Sequence, residues 1–166
     1  MSDAERHVPP DAQELVEALV EADADVATAE SLTAGLVAAT LAEVPGSSEV
    51  LLGGVVTYAV AAKHEVLGVP QDLLDAYGAI SEECVRAMAE GARERFRADV
   101  GLATTGVAGP AGSEGHPPGY VWIAVSEGGD VHTELLHLVG DRQQVRNDTV
   151  RHVMALAVRA LRDRVR

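Results

Sequence analysis

Apolar residues recur along this chain at two different periods, and the switching between them limits what it can fold into. Leu15, Val16, Leu19 and Val20 fall on one face of a helical pattern that Asp11 can cap. Val26-Ala27-Thr28-Ala29 then reads as a short buried strand. A second helical pattern runs from Thr33 to about Val44, with Leu36, Val37 and Leu41 inward, and Pro45-Gly46 stops it. Val50 to Tyr58 reads as a strand whose internal Gly53-Gly54 pair signals a bulge or a close backbone approach. Two short helices are expected over 60–67 and 70–76. Ser81-Glu82-Glu83 opens a longer one, with Val85, Met88 and Ala92 inward. Val100 to Thr104 is a further buried strand. Tyr120–Val125 and Val131–Leu138 flank a hairpin turn at Glu127-Gly128-Gly129-Asp130, and a last helix starts near Asp141 and runs to the end. Interleaved helices and strands with a late hairpin predict an α/β chain: a three-layer α/β/α sandwich around a mixed sheet. No repeat or long linker divides it. The expected organisation is a flexible N-terminal arm over residues 1–10, ending in Pro9-Pro10, and one domain over 11–166.

The 166 residues can bury a sizeable core, and with 3% aromatics that core must be mostly Ala, Val and Leu. A net charge of -13 opposes non-specific nucleic-acid binding but leaves room for a local basic pocket holding one small anion. Cys84 is the only cysteine, so no intrachain disulfide forms, which fits a reducing cytoplasm. The polar N-terminus lacks a signal-peptide core, and no apolar run reaches transmembrane length.

Of the 13 Lys and Arg residues only Lys63 is lysine. Arginine stays protonated, whereas a desolvated lysine amine can act as a base. Lys63 follows Gly53-Gly54-Val55-Val56-Thr57-Tyr58 by five residues from the tyrosine. It is either a catalytic group or a lysine left on a helix surface. Ala29-Glu30-Ser31-Leu32-Thr33-Ala34-Gly35 lies between a strand and a helix, so Ser31 and Thr33 either face a substrate or cap the helix. Thr104-Thr105-Gly106-Val107-Ala108-Gly109-Pro110 follows a buried strand. Its glycines let the backbone approach a ligand and form an anion nest, or simply shape a solvent loop. The G-x-x-G-x-x-G spacing is not a dinucleotide fingerprint, and there is no Walker A lysine. Arg142 and Arg146, one helical turn apart, either clamp a phosphate or form a solvated face answering Asp141 and Asp148. The six histidines show no metal-ligand spacing with Cys84, and His132 and His137 lie at opposite strand parity.

Five segments stand in an order and spacing that resemble one family. They are the 29–35 run, Pro45-Gly46-Ser47-Ser48, Gly53 to Tyr58 with Lys63, Gly78-Ala79-Ile80-Ser81-Glu82, and Thr105 to Pro110. The chain resembles the CinA C-terminal domain family from about residue 11 to 163. The resemblance implies a metal- and cofactor-independent amidohydrolase that converts nicotinamide mononucleotide to nicotinate mononucleotide and ammonia. It implies Ser31 as nucleophile, with Tyr58 and Lys63 as the activating pair, the lysine taking the serine proton directly or through Tyr58. It implies substrate contacts from Thr33, Gly35, Ser48, Thr105, Gly106, Gly109, Arg142 and Arg146, with Ser48 the next candidate nucleophile. Many members carry a larger N-terminal nucleotide-binding domain that this sequence does not show. Two positions depart from the pattern. Leu32 stands where many relatives have Cys, and His116 stands where many have Lys. The expected partner is a small nucleotide, with no nucleic acid and no membrane, and self-association into a homo-oligomer stays open. The alternative is an inactive nucleotide-binding module linked to competence or DNA damage.

Overall fold

The computed structural model describes residues 8–163. Five strands form one sheet. They are β1 (Val26–Glu30), β2 (Leu51–Val56), β3 (Val100–Gly106), β4 (Tyr120–Glu127) and β5 (Asp130–His137). The spatial order is β2-β1-β3-β4-β5. β1 runs parallel to both β2 and β3, while β4 and β5 are antiparallel to their neighbours. The mixed sheet follows from the connections: helical crossovers join the first three strands, and a tight turn joins the last two.

Helices cover both faces. α1 (Pro10–Glu21), α2 (Leu36–Ala42) and α6 (Arg142–Asp163) pack on one side. α3 (Val60–Leu67), α4 (Gln71–Tyr77) and α5 (Glu82–Phe96) lie on the other. The first side meets Val26, Val100, Leu102, Val121, Ile123 and Val125 of the sheet. The second meets Ala27, Ala29, Ala103 and Ala124. Strand alternation sends the large fully buried residues one way and the alanines the other, so α5 rests on a largely alanine floor, with partly buried Val55, Trp122 and Val131 packed against the same side. The three-layer sandwich and the Ala, Val and Leu core are therefore as the sequence predicts.

Several boundaries differ. Residues 1–7 of the expected arm lie outside the described residues, and Pro10 already opens α1. Asp11 sits inside the first turn of α1 rather than capping it. Val20 is 53% exposed, because the inward stripe is centred on Ala12, Leu15, Val16 and Leu19. The second helix begins at Leu36, not Thr33, since Ala34 and Gly35 both take positive φ, 51° and 96°. β2 is shorter than expected because Val50 ends a 3-10 turn over Ser47–Glu49 and Thr57 leaves the ladder. β3 extends to Gly106, where Val121 of β4 still pairs with it. α6 is described to Asp163, and the last three residues of its predicted run lie outside the described residues.

Both features expected near the glycine pair are present, the register break one residue before it and the close approach at Gly54. The β1–β2 register shifts after Val26, so Leu52 bulges, and a Cβ on Gly54 would stand 2.1 Å from Thr28 Oγ1.

Candidate active site

Parallel strands β1, β2 and β3 end on the same side of the sheet. The chain leaves β1 towards β2 on one side and lies beside β3 on the other, which opens a crevice at their carboxyl ends. A cavity of about 220 Å³ lies there, and Ser31, Tyr58, Lys63, Thr105, Glu114 and Arg142 are among the residues that line it.

Ser31 follows β1 directly, in a turn held from all sides. Its N–H donates to Thr104 O at 3.1 Å, and its carbonyl accepts from Ala34 N at 3.0 Å. Arg146 donates from Nε to Leu32 O and from Nη2 to Thr33 O, each at 3.0 Å. Thr33 Oγ1 meets Thr104 Oγ1 at 2.8 Å. Glu30, 1% exposed, accepts from the N–H groups of Val37 at 2.8 Å and Ala38 at 3.1 Å. That carboxylate caps α2 from below, because Gly35 at the N-cap has no side chain to do so. Neither Ser31 nor Thr33 caps the helix, so the capping reading of both hydroxyls is corrected. The Ser31 hydroxyl is left for the cavity.

Lys63 points inward from α3 and is 1% exposed. The surface-lysine reading therefore fails. Its Nζ lies 3.1 Å from Ser31 Oγ, 2.7 Å from Thr57 O and 3.5 Å from Tyr58 O. Burial pushes the amine below its ordinary value, with Cys84 and Glu114 acting against that shift. The same burial pushes the Cys84 thiol up to about 11, the nearby Lys63 opposing and Glu114 assisting.

Of the two routes expected from lysine to serine, the Tyr58 side chain does not form one here, although it lines the cavity. Its ring is 57% exposed, and its hydroxyl accepts from Arg142 Nη2 at 2.7 Å. Its approach to Lys63 is through the backbone carbonyl. The lysine reaches the serine directly, without a tyrosine relay.

The two arginines part company. Asp141 and Gln144 close a reciprocal capping box at the start of α6, Gln144 N to Asp141 Oδ1 at 2.9 Å and Asp141 N to Gln144 Oε1 at 2.7 Å. This aims Arg142 at the cavity mouth, where it also donates to Gly109 O at 2.7 Å. Arg146, one turn on, is committed to the 31–35 turn. Its guanidinium positions Ser31 and does not line the cavity, so the phosphate role expected of it is corrected. The ion-paired surface reading fails for both, since Asp148 pairs with Arg151 at 3.3 Å.

Thr105, Gly106 and Gly109 line the cavity, and Thr105 Oγ1 donates to Ala79 O at 2.7 Å. Thr33 and Gly35, expected to touch substrate, are not in the cavity lining: the Thr33 hydroxyl is held by Thr104, and Gly35 is the N-cap of α2. Ser48 is exposed in the 3-10 turn before β2, at the opposite end of that strand from Thr57, and cannot join the site. His116 stacks on Tyr120, centroids 4.0 Å apart and planes within 4°, which fixes the Gly/Pro-rich loop from outside the cavity. Among the described residues no three His, Cys, Asp or Glu side chains form a group suited to a metal ion.

Sequence reasoning missed Glu30, Thr57 and Glu114. Glu30 was visible as an acid directly after a strand predicted to end at Ala29, and the structure carries that buried strand one residue further to include it. Thr57 acts through its carbonyl, which no side-chain pattern reveals. Glu114 reaches back from the loop to accept from Ala79 N at 3.3 Å and Ile80 N at 3.0 Å, a contact between segments 34 and 35 residues apart.

The family model of the CinA C-terminal domain matches residues 10–161. The chain belongs to that family. It is 48% identical over 153 residues to a protein of Limosilactobacillus fermentum (strain NBRC 3956 / LMG 18251) named as a competence-damage inducible protein. That match covers 91% of this chain and 37% of the relative. The chain thus spans little more than a third of that relative's length. Among solved structures, a CinA superfamily protein from Klebsiella pneumoniae superposes with a TM-score of 0.90 at 34% identity, covering 92% of this chain and 96% of that one. A competence/damage inducible protein, CihA, from Agrobacterium tumefaciens superposes with a TM-score of 0.85 at 37% identity, covering 98% and 99%. The sandwich is the fold of this superfamily. Among the described residues, no helix is long and apolar enough to cross a membrane.

Proposed function

We propose that this chain hydrolyses a carboxamide, with nicotinamide mononucleotide as substrate and nicotinate mononucleotide and ammonia as products. The observation that carries the reading is the 3.1 Å contact between buried Lys63 Nζ and Ser31 Oγ at the wall of an open cavity. A serine hydroxyl needs a base to become a nucleophile. A neutral amine can use its N–H groups towards the Thr57 and Tyr58 carbonyls and turn its lone pair to the serine proton. Desolvation favours that neutral form.

In the proposed sequence Ser31 Oγ attacks the carboxamide carbon while Lys63 takes the hydroxyl proton. The tetrahedral intermediate collapses as Lys63 returns that proton to the departing nitrogen, which leaves as ammonia. Water then attacks the acyl-serine ester, again giving a proton to Lys63, which passes it to Ser31 Oγ as the ester bond breaks, so that the acid leaves with the serine hydroxyl and the neutral amine both restored. Leu32, Ala108 and Gly109 border the cavity, and their backbone N–H groups are the candidates for stabilising the oxyanion. Arg142 at the mouth is the candidate partner of the 5′-phosphate. Thr105, Gly106 and Gly109 complete the substrate-binding wall.

The names of the relatives speak of competence and damage, which keeps an inactive accessory module as the second reading. Burying a lysine against a serine costs stability and is hard to account for in a module without chemistry. The test is ammonia release from nicotinamide mononucleotide by the purified chain. Release that persists in metal-free buffer and disappears in Ser31→Ala supports the enzyme. Binding of the mononucleotide without any release supports the accessory module.

A further inference from the structure

Arg142 puts a positive charge at one part of the cavity lining, and Glu114 puts a negative one at another. The Glu114 carboxylate is anchored. Its two oxygens accept from the successive N–H groups of Ala79 and Ile80, and these residues line the same cavity. Ala79 is fixed in turn by Thr105, whose hydroxyl donates to its carbonyl. The strand-end wall, the start of α5 and the Gly/Pro-rich loop are thereby tied together around one carboxylate. None of the serine chemistry described above uses it.

We propose that Glu114 is a specificity-determining residue that recognises a cationic heterocycle, so that this pocket selects carboxamides carried on a positively charged ring. The inference rests on the carboxamide-hydrolysis reading and adds to it the charge of the ring. A carboxylate in the wall costs least when the ligand brings a compensating positive charge. An anionic phosphate at Arg142 and a cationic ring near Glu114 would match a zwitterionic ligand end to end. Glu114 lines the same cavity as Lys63 and Ser31, and its charge acts on the lysine amine. The other charged or titratable groups around that lysine are Cys84 from α5 and, at the cavity mouth, Tyr58 and Arg142.

The experiment compares two ligands that differ mainly in ring charge: nicotinamide mononucleotide and its reduced 1,4-dihydro form, whose ring is neutral. Dissociation constants are measured by calorimetry in Ser31→Ala, which halts turnover, with and without Glu114→Gln. The expected result is about fivefold weaker binding of the cationic form, in keeping with a partly solvated charge pair, and less than twofold change for the neutral form. Equal weakening of both would make Glu114 a loop clasp only and overturn the proposal, as would no change in either. A Glu114→Asp variant controls for the clasp, because it keeps the charge. It should retain the preference for the cationic ring even if both ligands bind more weakly, and loss of that preference would count against the proposal. Ammonia release from the unmodified chain is assayed in parallel. A preference that depends on Glu114 without ammonia release would remove the hydrolase reading and leave this inference standing; release without such a preference would do the reverse.

Discussion

The two ends of β1 use the same bond in opposite settings. At the amino end Asp25 and Asp99 exchange carboxylate–backbone hydrogen bonds, Asp25 N to Asp99 Oδ2 at 3.1 Å and Asp99 N to Asp25 Oδ1 at 2.8 Å, in contact with solvent. At the carboxyl end Glu30 makes the same kind of bond to two amides of α2, but it is 1% exposed. The first arrangement costs little, because water solvates the remaining lone pairs. The second requires desolvating a charge. The buried end also holds the inward lysine and a strained turn with two successive positive-φ residues. Polar groups brought inside at one end of a sheet, against the general tendency of the fold, mark where chemistry is expected.

The largest effect that would sharpen this contrast is the loss of the serine hydroxyl. Ser31→Ala should lower kcat by about 10³-fold or more while affinity stays within roughly tenfold. The matched change at the other end of β2, Ser48→Ala, should leave kcat unchanged. Ammonia release by the two variants side by side checks both, and a silent Ser31→Ala would break the comparison.

Next comes Lys63→Arg, expected to lower kcat/KM by about 10² or more, since a guanidinium cannot supply a neutral base. The wild-type acidic limb should report a group below the ordinary lysine value of 10.5. The sign for stability follows from the same shift. As pH falls, the unfolded chain takes up a proton that the buried amine resists, so the native state loses stability. Relative to Lys63→Met, the wild type should therefore gain stability as pH rises through the window between the lowered value and 10.5. Cys84 opposes this trend above its ordinary 9.0, because its raised value favours the folded thiol, so melting curves below pH 9.0 isolate the lysine.

Glu30→Gln tests the buried carboxylate as structure. One amide N–H of α2 would face a donor, and about 2 kcal/mol of stability should be lost. Asp25→Asn at the solvated end should cost under about 1 kcal/mol. Chemical denaturation of the pair decides, and equal losses would show that burial does not separate the two ends.

The smallest effect concerns Arg142. Arg142→Ala should reduce the preference for the mononucleotide over its phosphate-free riboside by about tenfold, as one or two charge-assisted bonds are removed. Arg146→Ala should lower kcat with both substrates by a similar factor, because it loosens the Ser31 turn without touching phosphate. Competition assays with the two substrates distinguish the roles.

Much of the frame was legible because it depends on local rules. Period-two and helical-period segments fix which residues become strands and helices. Ser81 caps its helix through Cys84 N, and Asp141 starts the last one, as short-range polar chemistry dictates. The lone Lys63 and the serine turn could be singled out because their residue types are chemically unusual where they stand. The misreadings concern positions where distant segments compete for one group. Thr33 did not start a helix because two left-handed residues intervene and a carboxylate from β1 takes over the cap. Tyr58 did not reach the serine because α6 claims its hydroxyl.

From the sequence alone came the sandwich, an Ala, Val and Leu core, and a shortlist headed by Ser31 and Lys63. Only the tertiary structure decided which of Arg142 and Arg146 faces the cavity. It also decided that Ser48 stands at the wrong end of β2, and that Glu30, Thr57 and Glu114 belong to the site's framework. Periodicity specifies which face of an element is buried. The direction and partner of a single polar group depend on what the folded chain brings within about 3 Å, and no local pattern encodes that distance.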